Sequence, residues 1–214
     1  MPLPADSFSN VAIRNDQRQR VIPAQLVTES WTDAVAADPN GYSATHAGAG
    51  AAGTTEQTLG GALAGVADFA RNVVVTVTHG SSVVAMSGVI TGTDVHGNGI
   101  TEAWAVTATG TSKVFTGLKA FKTVTSITEV VVADASGNSI ISGSGDKLGL
   151  SQICAVASLV KEISGGSVVT NGTTVAGSTV STADRRGTYA PNTVPDGAVD
   201  FEIYYLVNDL YHTK

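Results

Sequence analysis

The clearest pattern in the chain is a period of two that sets in after residue 71. Val73, Val75 and Val77 alternate with Val74, Thr76 and Thr78, which puts one set of side chains on each face of a strand. His79-Gly80-Ser81-Ser82 predicts a turn, and residues 83–90 a second strand. After Gly97-Asn98-Gly99, the side chains of Ile100, Trp104 and Val106 share one face with Glu102. Residues 121–132, rich in Val, Thr and Ile, predict one strand or a pair, ended by Asp134-Ala135-Ser136-Gly137-Asn138. Asn171-Gly172, set between Val168-Val169-Thr170 and Thr173-Thr174-Val175, is the sequence of a two-residue hairpin. Near the end Phe201, Ile203, Tyr205 and Val207 face one way, and Asp200, Glu202, Tyr204 and Leu206 the other. Residues 153–163 fit a helix or a strand, and their Gly-rich flanks favour the strand. Many short strands separated by turns predict a mainly β protein: an antiparallel β-sandwich or barrel-like domain with an extended N-terminal arm and little helix.

The first third has a different texture. Residues 1–40 read as an arm and linker, because Pro2, Pro4, Ser7, Ser9 and Asn10 oppose regular structure. A short apolar patch with Trp31 follows and is closed by Asp38-Pro39-Asn40-Gly41, a turn signal. Residues 41–71 are Ala/Gly-rich and join onto the β-rich domain of residues 72–214. Thr54 or Thr55 would cap a helix over residues 56–70, but Gly60, Gly61 and Gly65 oppose it at about 1 kcal/mol each.

Composition narrows the classes. Ala, Val, Thr and Gly make up half of the 214 residues, and charged residues only 14%, against roughly 25% in ordinary soluble domains. A hydrophobic fraction of 43% excludes a disordered chain. A net charge of −6 and a pI near 5.0 speak against a free nucleic-acid binder. Cys154 is the only cysteine, so no internal disulfide and no cysteine-built metal site is expected, and it reads as a small buried hydrophobe. Residues 1–20 lack the apolar run of a secretory signal, and nowhere do 18 apolar residues follow one another. The expectation is synthesis in a cytoplasm and no membrane contact. A surface so poor in charge suits a protein that other subunits cover.

Chemistry-bearing motifs are scarce. Gly48-Ala49-Gly50-Ala51-Ala52-Gly53 has the G-x-G-x-x-G spacing of dinucleotide sites. That mechanism needs a buried parallel strand running into the first glycine, and residues 40–46 are no such strand, so a small-residue loop is expected. Asp94-Val95-His96-Gly97-Asn98-Gly99 has the look of a calcium loop, but the twelfth position is Ala105 rather than the required Glu. A hairpin turn is expected instead. His46, His79, His96 and His212 show no i, i+4 pairing, and no nucleophile elbow or phosphate loop is present. No catalytic, cofactor-binding or metal-binding residue is therefore predicted, and no enzyme. The candidate contacts are for partners. Arg14, Arg18 and Arg20 belong either to a solvated terminus or to an arm that docks on an acidic neighbour and orders there. Trp31 is a further candidate. Tyr204, Leu206 and Tyr211 make either an interface or a layer buried by a second sheet.

Three stretches carry a resemblance. They are Thr91-Gly92-Thr93-Asp94 through Gly97-Asn98-Gly99-Ile100-Thr101-Glu102; Gly117-Leu118-Lys119-Ala120-Phe121-Lys122-Thr123-Val124-Thr125-Ser126-Ile127-Thr128; and Gly145-Asp146-Lys147-Leu148-Gly149-Leu150, followed by Arg186-Gly187-Thr188-Tyr189-Ala190-Pro191-Asn192-Thr193 and Pro195-Asp196-Gly197. Across residues 70–205 the chain resembles the capsid decoration, or cement, proteins of tailed bacteriophages; residues 44–65 have no counterpart in that pattern. The resemblance implies a non-enzymatic virion protein without cofactors on the capsid surface. Its partners would be the major capsid protein and copies of itself, as a homotrimer at local three-fold positions. It also implies that the arm and its arginines reach a neighbouring subunit or the shell. The alternatives are a tail-tube, baseplate or fibre component, or a carbohydrate-binding β-sandwich, for which two Trp, five Tyr and five Phe are a thin supply.

Overall fold

The computed structural model describes residues 25–154, 159–176 and 186–207. Among them there is no helix, and thirteen strands form two antiparallel sheets. The strands are β1 (Gln25–Trp31), β2 (Ser43–Ala47), β3 (Gly53–Glu56), β4 (Val66–His79), β5 (Met86–Thr93), β6 (Gly99–Val106) and β7 (Ser112–Val131). They continue with β8 (Asn138–Gly149), β9 (Leu159–Ser164), β10 (Ser167–Val169), β11 (Thr173–Ala176), β12 (Gly187–Ala190) and β13 (Phe201–Val207). One sheet has four strands in the order β1-β13-β9-β10. The other has nine: β11-β12-β8-β4-β7-β5-β6, with β2 added to β8 and β3 to β7. The nine-stranded sheet curls into a half-barrel, so the architecture is the sandwich- or barrel-like one that the alternation predicts.

The curl follows from β7, which is 20 residues long and changes partners along its length. Its first half pairs with β4; its second half pairs with β5 on one side and β3 on the other. Opposite Asn72–Val74 the register jumps, so that Gly117, Leu118 and Lys119 stand against the single Val73. A bulge of this kind bends a strand and increases its twist. Gly117 is needed there, since a Cβ would lie 2.8 Å from the Val73 carbonyl oxygen.

Inside the curl the alternating residues form the larger core. Val73, Val75 and Val77 meet Ile90, Trp104, Phe121, Ile127 and Ile140, each buried, at about 1.5–3 kcal/mol per large apolar side chain. The Trp104 indole lies over Gly88 and donates to the Thr128 carbonyl at 2.9 Å; a Cβ on Gly88 would meet that ring nitrogen at 2.5 Å. A second core lies between the sheets. Phe201, Ile203 and Tyr205 of β13 pack there with Leu148, Leu150 and Cys154, and Trp31 stacks on Tyr189 with ring centroids 5.7 Å apart.

Several local expectations give way to tertiary contacts. Residues 25–31, expected within an arm and linker, are β1, paired with the last strand through seven residues. Residues 56–70 form no helix: β3 ends at Glu56, a turn with Gly65 at φ +81° follows, and β4 begins at Val66. Of residues 153–163, Leu159 onward is strand, while Ile153 and Cys154 are not. Asn171-Gly172 makes no hairpin, because β10 pairs with β9 in one sheet and β11 with β12 in the other. Glu162 on β9 decides this. Its fully buried carboxylate accepts the Gly172 N–H at 2.6 Å, and its own N–H donates to Asn171 Oδ1 at 3.0 Å.

Arg71 fastens the entering chain to the half-barrel. Its guanidinium is fully buried on β4 and donates to both Asp68 oxygens at 2.6 and 2.8 Å. The same group donates to the carbonyls of Val35 (2.6 Å) and Gly145 (3.3 Å), while the Val35 N–H donates to Asp68 Oδ2 at 3.0 Å. Burial pushes the Asp68 carboxyl up, but the bonds from Arg71 and from the N–H groups of Phe69 and Val35 outweigh it and hold it below its ordinary value. A carboxyl lowered in this way stabilises the fold above its unfolded value, and that contribution is lost as pH falls through the folded one. Asp68→Asn should therefore lower the urea midpoint at neutral pH and flatten the loss of stability on acidification from about pH 5 to pH 2. An unchanged acid limb in urea titrations followed by tryptophan fluorescence would contradict this.

Candidate functional site

Three surface features carry the side chains that bear on function. The first is a cleft of about 430 Å³ where the ends of the two sheets meet, lined by His96, Asn98, Ser151, Gln152, Ile153 and Arg186. The loop joining β5 to β6 builds one wall. Asp94 accepts the N–H groups of His96 (2.8 Å) and Asn98 (3.0 Å) and an ion pair from Arg186. Burial pushes the Asp94 carboxyl up, but the Arg186, Asn98 and His96 donors prevail and hold it below its ordinary value. Its oxygens are thus committed to protein donors, as a hairpin turn requires. On the other wall His96 Nε2 lies 2.9 Å from the Ser151 carbonyl, and the Ser151 N–H donates to both Glu29 oxygens. Tyr205 donates its hydroxyl to Glu29 Oε2 at 2.9 Å.

The cleft is a latch. Neither its serine nor its histidine forms a nucleophile–base pair, and Glu29 is spent on Ser151 and Tyr205. His79 behaves similarly at the end of β4, where Nδ1 accepts the N–H groups of Ser81 and Ser82 and so caps a turn. Among the described residues no three His, Cys, Asp or Glu side chains gather as a metal site. Gly48–Gly53 joins β2 to β3 and precedes no helix, so it offers no pyrophosphate cradle.

The second feature is the outer face of the four-stranded sheet. Tyr204 and Leu206, both expected as partner contacts, stand side by side on it. Leu26 of β1 pairs with Leu206, and the two are 57% and 37% exposed; Thr28 pairs with Tyr204. Lys161 sits 5.6 Å from the centre of the Tyr204 ring, and the Tyr204 hydroxyl donates to Glu202 at 2.6 Å. Val168 of β10 extends the face and is 65% exposed. Leu26, Lys161 and Val168 were not expected; the alternation of Leu26, Thr28 and Ser30 against Val27, Glu29 and Trp31 is the signal that points to β1. Trp31 has the opposite parity and is buried in the inter-sheet core, so it is no surface contact. Arg14, Arg18, Arg20 and Tyr211 lie outside the described residues.

The third feature is the outside of the half-barrel. Val114 and Thr116 of β7 stand beside Thr76 and Val74 of β4, and Ile141 of β8 continues the row without a charged side chain. Val114 and Leu118 are each 58% exposed. Near the free end of the sheet a shallow trough of about 460 Å³ is lined by Val89, Ala103, Trp104, Ala105, Phe115 and Val130. Comparison of the chain with protein-family models, with curated proteins and with solved structures finds no match.

Burial raises the Glu29 carboxyl above its ordinary value, only partly offset by its bonds to Ser151 and Tyr205 and by His96. A raised carboxyl costs stability once pH rises through its folded value. Glu29→Gln keeps the shape and removes the charge, so it should stay within about 1 kcal/mol of the parent at pH 7, whereas Glu29→Ala should lose about 1–3 kcal/mol by stranding its donors. Equal losses for both variants in denaturant unfolding would refute the latch.

Proposed function

We propose that this chain is a non-enzymatic structural protein of a tailed-phage virion, which binds the outside of the capsid shell and stabilises it. Its partners are the major capsid protein and copies of itself, as a homotrimer. The observation that carries this reading is the character of the outer faces. Leu26, Leu206 and Val168 on one sheet, and Val114 and Leu118 on the other, expose apolar side chains on the outer faces. Only Leu26 and Leu206 are direct neighbours there; contiguous exposed apolar area marks places where other protein is bound.

The all-β scaffold, which gathers no metal site among the described residues, is compatible with the same reading. Small contacts repeated over many identical sites sum to tight attachment even when each is weak. A closed ring of subunits would bury the faces that a monomer leaves in water. The outer face of the four-stranded sheet is the surface assigned to subunit contact, with Leu26, Tyr204 and Leu206 at its centre.

The test has two arms. Light scattering of the purified protein should show trimers, and the protein should co-sediment with expanded shells that lack it, in numbers comparable to the major capsid protein. Leu26→Asp with Leu206→Lys, an opposite-charge cross-strand pair, should weaken association at least tenfold, about 1.4 kcal/mol, while leaving the melting temperature close to that of the parent. A strictly monomeric protein without affinity for shells would sink the proposal, and strong depletion relative to the capsid protein would assign it to the tail.

A further inference from the structure

Asn171-Gly172 lies between β10 and β11, where the chain passes from one sheet to the other. An Asn-Gly pair carries a latent reaction. The glycine nitrogen can attack the asparagine Cγ and close a five-membered succinimide, and glycine opposes this least because it has no Cβ. The nitrogen is a poor nucleophile while it holds its proton, and the amide carbon a poor electrophile until its oxygen is stabilised. One residue of β9 serves both atoms. The Glu162 carboxylate accepts the Gly172 N–H at 2.6 Å, and the Glu162 N–H donates to Asn171 Oδ1 at 3.0 Å. The carboxylate is within the reach of a general base, and the N–H sits where negative charge would gather. Pairing of Val169 with Glu162 sets this register two residues before Asn171. Glu162 is fully buried, and among the described residues its Oε1 accepts no hydrogen bond. An amide oxygen would hold the Gly172 N–H as well, without the cost of burying a charge. Asn171 itself is exposed, so water reaches it and a leaving group can depart.

We propose that Glu162 drives closure of a succinimide at Asn171-Gly172, which makes this crossing a self-modifying site. Glu162 takes the proton of the Gly172 nitrogen as that nitrogen bonds to Asn171 Cγ. In the tetrahedral intermediate Oδ1 carries the negative charge, held by the Glu162 N–H. As the carbonyl re-forms, the Cγ–Nδ2 bond breaks, the proton passes from Glu162 to Nδ2, and ammonia leaves. Water then opens the ring to an aspartyl or isoaspartyl residue, and no other reactant enters. The other two Asn-Gly pairs, Asn40-Gly41 and Asn98-Gly99, lack the base. The Gly41 N–H donates to the Asp38 carbonyl, and the Asn98 side-chain amide donates to the Asp94 carboxylate. Closure removes the N–H that ties Gly172 to Glu162, so the reaction frees the crossing from β9.

Peptide mapping by mass spectrometry tests this in the full chain, incubated folded at neutral pH and physiological temperature. Asn171 should be converted at least tenfold faster than Asn40 and Asn98. Glu162→Gln keeps an acceptor for the Gly172 N–H but supplies no base. It should slow conversion at Asn171 at least tenfold, as loss of a positioned base does, and leave Asn40 and Asn98 unchanged. Equal rates at the three sites, or an Asn171 rate that the variant keeps, would overturn the proposal. If the variant fails to fold, concentrated urea serves instead, because unfolding parts Asn171-Gly172 from Glu162. The Asn171 rate of the parent should then fall to that of Asn40 and Asn98. A rate that urea leaves unchanged or raises would mean that the two bonds protect the pair, and would overturn the proposal. All readouts use the isolated protein, so they stand whether or not it binds shells.

Discussion

The half-barrel depends on how β7 bends. β7 is shared among β3, β4 and β5, and the bulge at Gly117–Lys119 is where it bends. The bulge leaves two backbone N–H groups facing away from β4. Glu102 takes both, at 2.7 and 3.3 Å, and so draws the last strand of the sheet across to the middle of the same long strand. Burial raises the Glu102 carboxyl, and the N–H groups of Leu118 and Lys119 with the charges of Lys119 and Lys147 pull it back. This seam is drawn by side chains rather than by a ladder, and it closes the curl beside Gly117 and Val73.

Other buried polar groups act in the same manner, each fixing one segment that backbone pairing alone would leave loose. Arg71 holds Val35, and Glu162 holds Gly172. Glu129, fully buried on β7, accepts the Thr55 hydroxyl at 2.6 Å with His46 Nε2 at 3.2 Å, which fixes β3 and β2. Arg71, Asp94, Lys119, Glu129 and Glu162 are all buried, so the surface is poorer in charge than the composition suggests. Charges spent indoors leave the outer positions of β4, β7 and β8 to residues such as Val74, Thr76, Val114, Thr116 and Ile141. That distribution is costly for a free monomer and natural for a subunit whose faces are covered.

Elements whose cause is local were legible. The Val/Thr alternation of β4, the loop at Asp94 and the two faces of β13 follow from a period of two and from turn chemistry, and Glu102 belongs on the face of Ile100 and Trp104 as the spacing implied. Elements whose cause is distant were not. Asn171-Gly172 has every local mark of a hairpin, yet Glu162 captures it from another sheet. β1 is short, follows a Pro-containing stretch and alternates over only seven residues, and it is a strand because β13 offers it an edge. The candidate contacts divide on the same principle: Tyr204 and Leu206 share the outer parity of β13, whereas Trp31, one residue out of phase with Ser30, turns inward to Tyr189.

The fold is latched at its sheet junction and exposes apolar side chains on the outside of both sheets. The central claim is that these outer faces are subunit contacts in a virion shell. A cryo-electron microscopy map of the particle that contains the protein tests this directly. The account predicts density for the chain on the outside of the shell, with Leu26, Tyr204 and Leu206 packed against a neighbouring subunit. Density in the tail, or on the shell with that face open to solvent, would contradict it.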